Sequence, residues 1–271
     1  MVKKLFRHEL QAYWRVLIPI WALLTGVSVL GRLIQLFEND SVAYGIVRTS
    51  TIIFYAVALL VCLVFPFVFS IMRFHKNLFT GEGYLSFTLP VTPFQHVLVK
   101  ATAGLSVQLL TVVVSLISLM LITMGDVFGE IMKAIGYLYT HFYHQKEWGM
   151  HLPRYLVEGF LLLVIAYVSE VLLYYACISI GQRSKKNRIL AAVGVYFAYY
   201  FIRQVLGTIV IVIVSAMDWT QLLERVLEWV DQHPFETAHY VIALLMLVYA
   251  VAAALYFLIS HRTIRNRLNL E

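Results

Sequence analysis

Long uncharged apolar blocks alternate along this chain with short segments that hold most of the charge. Three blocks contain no Asp, Glu, Lys or Arg: Thr49–Met72, Ala101–Gly125 and His239–Ser260. Each is longer than the roughly 20 residues that an α-helix needs to cross the hydrocarbon core of a bilayer. Strands of a membrane barrel would instead show about 10 residues of alternating polarity. The pattern therefore predicts transmembrane helices.

Three further apolar blocks of similar length contain isolated charges, and we interpret them as helices too: Val16–Leu36 with Arg32, Tyr155–Gly181 with Glu158 and Glu170, and Ile189–Met217 with Arg203. The first block is too long for a cleavable signal peptide and has no small-residue cleavage site after it, so we expect it to remain as a helix. With 61 % apolar and 13 % charged residues, the chain lies outside the range of soluble domains. The fold class is therefore all-α: one polytopic membrane domain, residues 1–271, with six transmembrane helices.

Lysine and arginine are distributed unevenly between the two sides that six crossings create. Fourteen of the 21 lie in segments 1–15, 73–100 and 182–188 or after Ser260, whereas six lie in the alternate gaps. Because basic residues stay in the cytoplasm during insertion, we expect both termini and these loops to be cytoplasmic, in a multi-pass protein of the cell membrane. The net charge of +6 is then mainly a topology signal, and no nucleic-acid partner is expected.

Three segments outside the apolar blocks are amphipathic. Residues 1–15 can place apolar side chains on one helical face, which predicts an N-terminal helix lying flat at the cytoplasmic headgroups; the alternative is a basic lead-in that only orients the first span. The apolar face comprises Leu5, Phe6, Leu10, Tyr13 and Trp14, with Lys3, Lys4, Arg7, Glu9 and Gln11 mainly elsewhere. The outer segments 126–154 and 217–238 can rest on the membrane, cover the mouth of a pathway or contact a second subunit.

The cytoplasmic connection at residues 73–100 has signals of a folded loop. Thr92-Pro93-Phe94-Gln95 forms a capping box with proline at the first helical position, which predicts the start of the third span. Before it, Glu82–Thr88 has room for a short helix that must end ahead of Pro90. Exposed apolar side chains in that helix would need a partner, or the loop would have to bury them against its own helix ends; these side chains are Tyr84, Leu85 and Phe87.

The loop resembles that of permease subunits of ABC-2 type ABC transporters, in which a glutamate-glycine segment leads to a Leu-Pro-Val-Thr-like stretch. The matching residues here are Glu82, Gly83, Leu89, Pro90, Val91 and Thr92. The resemblance implies a coupling helix that inserts into a groove of a separate ATPase. It implies that the ATPase-coupling residues are Glu82, Gly83, Tyr84, Leu85, Phe87, Leu89 and Pro90. The outer segment 126–154 departs from a minimal member of that family.

Motifs for chemistry within the chain are lacking. No phosphate-binding loop is present, because Gly81-Glu82-Gly83 has neither the spacing nor the lysine. We therefore expect no enzyme and no cofactor in this chain, with ATP and Mg²⁺ held by two partner ATPase subunits. The resemblance also implies a second permease subunit, identical or different, and contact with membrane lipid. His141, His144 and His151 lack a Cys or acidic partner at ligand spacing, so no metal site is expected.

Two charges interrupt the fourth and fifth spans. Glu170 lies about 16 Å and Arg203 about 21 Å from the cytoplasmic end of their helices at 1.5 Å per residue. Because a charge at this depth is costly unless paired or hydrated, we expect a function or a partner for each. One interpretation is a buried pair that joins the two helices; the other is a polar lining of a translocation pathway that includes Tyr199 and Tyr200. A self-sufficient channel or carrier using Glu170 and Arg203, and a membrane subunit that transports nothing, are the alternatives to the permease.

Overall fold

Helices make up nearly all of the structure. The computed structural model describes residues 2–37, 41–81, 83, 88, 90–123, 129–130, 132–134, 136–137, 140, 146–184, 187–216 and 220–266, with only the backbone described at 146–150, 220–223, 226, 227 and 266. Within these residues there is no strand, and seven helices follow one another. They are α1 Val2–Leu36, α2 Val42–Phe79, α3 Pro93–Ile122, α4 Lys146–Gly181, α5 Arg188–Ala216, α6 Thr220–Gln232 and α7 Pro234–Asn266. All except α6 contain a stretch long and apolar enough to cross a membrane, which confirms the all-α class and the six predicted spans.

The N-terminal segment is not a separate helix. Residues 2–15 continue without interruption into the first span, and Pro19 is accommodated inside α1. No glycine or proline lies between Val2 and Ile18, so nothing in the local sequence ends the helix near Arg15. The prediction of an independent interfacial helix is corrected in this respect. At 1.5 Å per residue, the 35 residues of α1 span about 52 Å, well beyond the roughly 30 Å of a bilayer core.

Helix boundaries at the outer segments also differ from the prediction. The helix that contains the fourth span begins at Lys146 and includes Pro153, so the last residues of segment 126–154 belong to α4. Helix α6 begins at Thr220 among the described residues, and a single residue, His233, separates it from α7. Asp218, a residue type that is favoured at the N-cap of such a helix, lies outside the described residues. Pro234 starts the next helix, as expected from its missing N–H.

By packing, the chain divides into two compact units. Unit 1 comprises Met1–Phe74 and Phe87–Trp148, and unit 2 comprises His75–Ser86 and Gly149–Glu271. The 73–100 loop therefore contributes to both units. Each unit has its own set of closely packed side chains.

In unit 1, α1 packs against α3 along one stripe of α1. Small residues let the helices approach closely: a Cβ on Gly104 would lie 2.8 Å from Ser70 Oγ, and one on Gly31 would lie 2.9 Å from Ile122 Cδ1. The cores contain Leu24, Val27, Tyr55, Cys62 and Ile122 in one cluster and Tyr13, Leu17, Ala103 and Val107 in another.

In unit 2, the buried side chains are concentrated in the second half of α4, from Ser169 to Ser179. The end of α4 contacts the start of α5, where a Cβ on Gly181 would lie 2.5 Å from the backbone nitrogen of Ala192. The apolar stretches of α5 and α7 have no buried residue in the chain alone. Their apolar surface is the kind that lipid or a second subunit covers.

Candidate functional site

One carboxylate in unit 1 binds two cations from two other helices. Oε2 of Glu9 on α1 lies 2.9 Å from Nε and 2.8 Å from Nη2 of Arg73 on α2, and Oε1 lies 2.5 Å from Nζ of Lys100 on α3. The side chains of Glu9 and Lys100 are each 5 % exposed. Burying charges is tolerated only when they are paired and hydrogen-bonded, which this geometry provides. We call Glu9, Arg73 and Lys100 the charge junction.

Residues one helical turn from the charge junction close it off. Tyr13, four positions after Glu9, packs edge-on against Phe69 with 5.2 Å between ring centroids. The guanidinium of Arg73 lies 5.9 Å from the Phe69 ring centre, within the range of a cation–π interaction. Gly104, four positions after Lys100, leaves room for Ser70. This i, i+4 spacing puts each charge and its packing residue on the same helix face.

The charge junction joins α1 to the two helices that flank the loop, because Arg73 lies six residues before the end of α2 at Phe79 and Lys100 lies seven residues after the start of α3 at Pro93. The predicted capping box is confirmed at the start of α3: the Gln95 N–H donates to Thr92 Oγ1 at 3.4 Å, and the Thr92 N–H donates to Gln95 Oε1 at 3.0 Å. Buried ion pairs therefore hold α1, α2 and α3 together beside the loop, and α3 begins at a defined residue.

Of the predicted coupling residues, two are described. The Gly83 N–H donates to the Thr80 carbonyl at 2.7 Å, and Pro90 lies in the bend before α3. The rest of the set, Glu82, Tyr84, Leu85, Phe87 and Leu89, lies outside the described residues.

Glu170, Arg203 and several tyrosines form a polar cluster among α4, α5 and α7. Arg203 lies near Tyr199 and Glu170, and its positive charge interacts electrostatically with both groups. The Tyr199 hydroxyl is also hydrogen-bonded to Tyr256 on α7. We call this set the tyrosine cluster. It also includes Tyr174 and Tyr196, whose rings stack with centroids 5.2 Å apart.

Glu170 and Arg203 do not form a direct ion pair within 4.0 Å among the described residues. Arg203 is exposed on α5, while Glu170 is partly buried. Glu170 and Arg203 still interact electrostatically, and the two sequence interpretations, a buried pair and a polar lining of a pathway, both stay predictions. Tyr200 is 54 % exposed and is not part of the tyrosine cluster.

A second charged network in unit 2 links α4 to α7 near their first residues. Arg154 Nε lies 2.8 Å from Glu158 Oε1, and Glu158 Oε2 lies 2.6 Å from Nδ1 of His239. The last residue of this network is His151, whose Nδ1 lies 2.9 Å from Nε2 of His239. The i, i+3 and i, i+7 spacing of the three α4 residues shows in the sequence, but their partner, 81 residues after Glu158, does not.

Sequence reasoning missed the charge junction. It placed Glu9 mainly on the polar side of the N-terminal helix, whereas the structure has Glu9 on the buried stripe with Tyr13 and Leu17. The four-residue spacing of these three was the available signal, but a glutamate on such a stripe is read as solvated unless its partners are known. His151, considered with His141 and His144 for a metal, contacts His239 instead; His141 and His144 lie outside the described residues. In the described part of the chain no group of three His, Cys, Asp or Glu side chains is arranged to hold a metal ion.

Comparison with known proteins identified no relative: no protein-family model, no curated protein and no solved structure matches the chain.

Proposed function

We propose that the chain is the transmembrane permease subunit of an ATP-driven ABC exporter, which forms the translocation pathway while separate subunits hydrolyse ATP. The observation that carries the proposal is the charge junction, in which Glu9 binds one residue from each of the two helices that flank the loop between α2 and α3. A loop that only connects two spans needs no buried ion pairs at its two ends. A loop that receives force from a partner needs such ion pairs, because the force must reach the helices.

The loop is suited to transmit such a force. The two helices that flank the loop, α2 and α3, are joined to α1 by buried ion pairs. Segment His75–Ser86 belongs to the unit that contains α4, α5 and α7. When two ATPase subunits close on ATP, the loop would be pushed. The resulting tilt of the helices would switch the pathway between cytoplasmic and outer access.

Arg203 supports a pathway assembled from two permease subunits. It lies near the middle of the 29 residues of α5, about 20 Å from either end, so its side chain cannot reach water at the headgroups. An exposed arginine at this depth needs a hydrated path or a covering chain. A second permease subunit over α5 would provide both, with Tyr199, Tyr200 and Glu170 in the lining. The substrate class that the family resemblance implies is an amphipathic molecule such as a peptide antibiotic, a lipid or a drug.

The alternative is a channel or secondary carrier that works without an ATPase. It is favoured by the absence of a direct Glu170–Arg203 ion pair, since a carboxylate outside an ion pair can bind a cation or a proton. In that case the charge junction would be a structural joint only.

Affinity purification of the tagged chain in mild detergent, followed by mass spectrometry, separates the two. A stoichiometric ABC ATPase is the expected result. The double substitution Tyr84→Asp, Leu85→Asp should abolish its recovery. The matched control is Leu36→Asp, Phe37→Asp, which alters two exposed apolar residues at the opposite end of α1 and should leave recovery unchanged. A single species that conducts ions in liposomes would contradict the permease and support the channel or carrier.

A further inference from the structure

His151, His239 and Glu158 form one chain of hydrogen bonds between α4 and α7. Nδ1 of His239 faces Glu158 at 2.6 Å, and Nε2 of His239 faces Nδ1 of His151 at 2.9 Å. His239 is 6 % exposed, whereas His151 is only partly buried. Both ring nitrogens of His239 are thus in contact with side chains, while Nε2 of His151 is the last atom of this hydrogen-bond chain.

The number of protons decides whether this contact holds. An ionised Glu158 accepts, so Nδ1 of His239 carries a hydrogen, and a single hydrogen must lie between the two facing ring nitrogens. In the neutral pair, His151 Nδ1–H donates to His239 Nε2. When Nε2 of His151 takes up a proton, its Nδ1 hydrogen can pass to His239, which then donates to both neighbours. A second added proton leaves a hydrogen on each facing nitrogen, and the hydrogen bond is lost.

The surroundings provide one carboxylate to the pair, and this carboxylate also binds Arg154. From α4, the negative group is Glu158, the positive group is Arg154 with a side chain 65 % exposed, and Tyr155 stacks on His239 with ring centroids 4.3 Å apart. From the α7 side, the ring of His233 stacks on Trp229 and Glu236 is exposed. Among the described residues, Glu158 is the carboxylate in contact with the pair.

We propose that His151 and His239 form a proton-binding site that joins α4 to α7 while it holds at most one added proton, and that a second proton weakens this joint. Histidine is the side chain that commonly serves as a pH switch in proteins, so acidification at this end of the molecule is the stimulus. Tyr155, which donates to the Phe235 carbonyl at 2.7 Å, is a second contact between the helices and limits how far they can separate when the joint weakens. The proposal does not depend on the exporter function, because it requires no ATPase and no substrate.

The experiment measures the distance between α4 and α7 as a function of pH. Spin labels are attached to Val157→Cys and Val241→Cys, which replace side chains that are 60 % and 51 % exposed, in the full chain in nanodiscs. The native cysteines are buried and do not take the label. We expect one distance at pH 8 and an additional longer component as the pH falls to about 4.5.

Matched variants assign the effect to the pair. His151→Phe keeps a ring to stack on Phe235 but has no nitrogen, so the acid component should disappear. His233→Phe, the control at the same end, should respond like the parent protein. Glu158→Gln removes the carboxylate that accepts from Nδ1 of His239, so it should change the acid component, and it provides a second test if His151→Phe does not fold. A distance that is unchanged from pH 8 to 4.5, or an equal acid component in His151→Phe, would overturn the proposal.

Discussion

Glu9 and Lys100 are 91 residues apart in the chain, and their side chains form an ion pair of 2.5 Å in which each is 5 % exposed. The same carboxylate binds Arg73, so one acidic residue in the N-terminal helix joins the two helices that lead into and out of the 73–100 loop. Seven residues of α1 precede Glu9, and the buried carboxylate connects this end of the helix to α2 and α3.

Replacing Glu9 should strongly destabilise the chain. Glu9→Gln removes the negative charge that two buried cations contact, and removal of one partner from a buried ion pair costs about 3–5 kcal/mol. Unfolding of the purified chain in detergent, by heat or denaturant, measures the loss. The double change Glu9→Gln, Lys100→Met should recover part of it, because one cation leaves with the carboxylate. Glu228→Gln, at an exposed position of α6, is the control and should change stability by less than about 0.5 kcal/mol.

A methyl group at position 181 should disturb the contact between α4 and α5. Gly181→Ala would put Cβ 2.5 Å from the Ala192 nitrogen and 2.6 Å from its Cα, and backbone atoms cannot rotate away. We expect a loss of about 1–3 kcal/mol in the same unfolding assay, as for other overpacked sites. Gly194→Ala, a glycine of α5 with no atom within 4 Å of the added Cβ, should be neutral. Equal stability of the two variants would contradict the close approach.

Thr92 should determine how firmly α3 begins. Thr92→Ala removes the side-chain acceptor of the Gln95 N–H, at a cost of about 1 kcal/mol. Hydrogen exchange in the first turn of α3 should become faster, whereas Thr92→Ser, which keeps the hydroxyl, should exchange like the parent. Thr102→Ala is the control, since its hydroxyl bonds to carbonyls within α3 and caps nothing. Unchanged exchange in Thr92→Ala would show that proline at the first position is sufficient.

Arg203 should be needed for transport but not for stability. Arg203→Gln removes a charge from the middle of a span, where it costs about 3 kcal/mol or more, so expression and unfolding temperature should be maintained or rise. If Arg203 lines the pathway, transport by the assembled complex in liposomes should fall. Arg225→Gln, on the exposed side of α6, should transport normally. Normal transport by the double variant Glu170→Gln, Arg203→Met would assign both residues a structural role.

Local patterns were sufficient to predict much of the fold. Uncharged blocks such as Ala101–Gly125 can satisfy their backbone groups in a bilayer only as helices, so the all-α class and the number of spans follow from composition along the chain. The capping box at Thr92 and Gln95 was predictable for a related reason, since both of its hydrogen bonds join residues three apart. Helix ends were less predictable where no glycine or proline marked them. The helix predicted to end at Arg15 continues to Leu36, and α4 begins at Lys146, within the predicted outer segment 126–154.

The sequence by itself determined which segments are helical and where charges interrupt them, because these properties depend on neighbours within a turn or two. Only the tertiary structure decided which charge meets which partner. Glu9 pairs with Lys100, His151 contacts His239, and Arg203 lies near Tyr199 as well as Glu170. Each outcome depends on how a helix is rotated and which helix packs beside it. Rotation and neighbours are set by packing over many side chains at once, which no short stretch of sequence encodes.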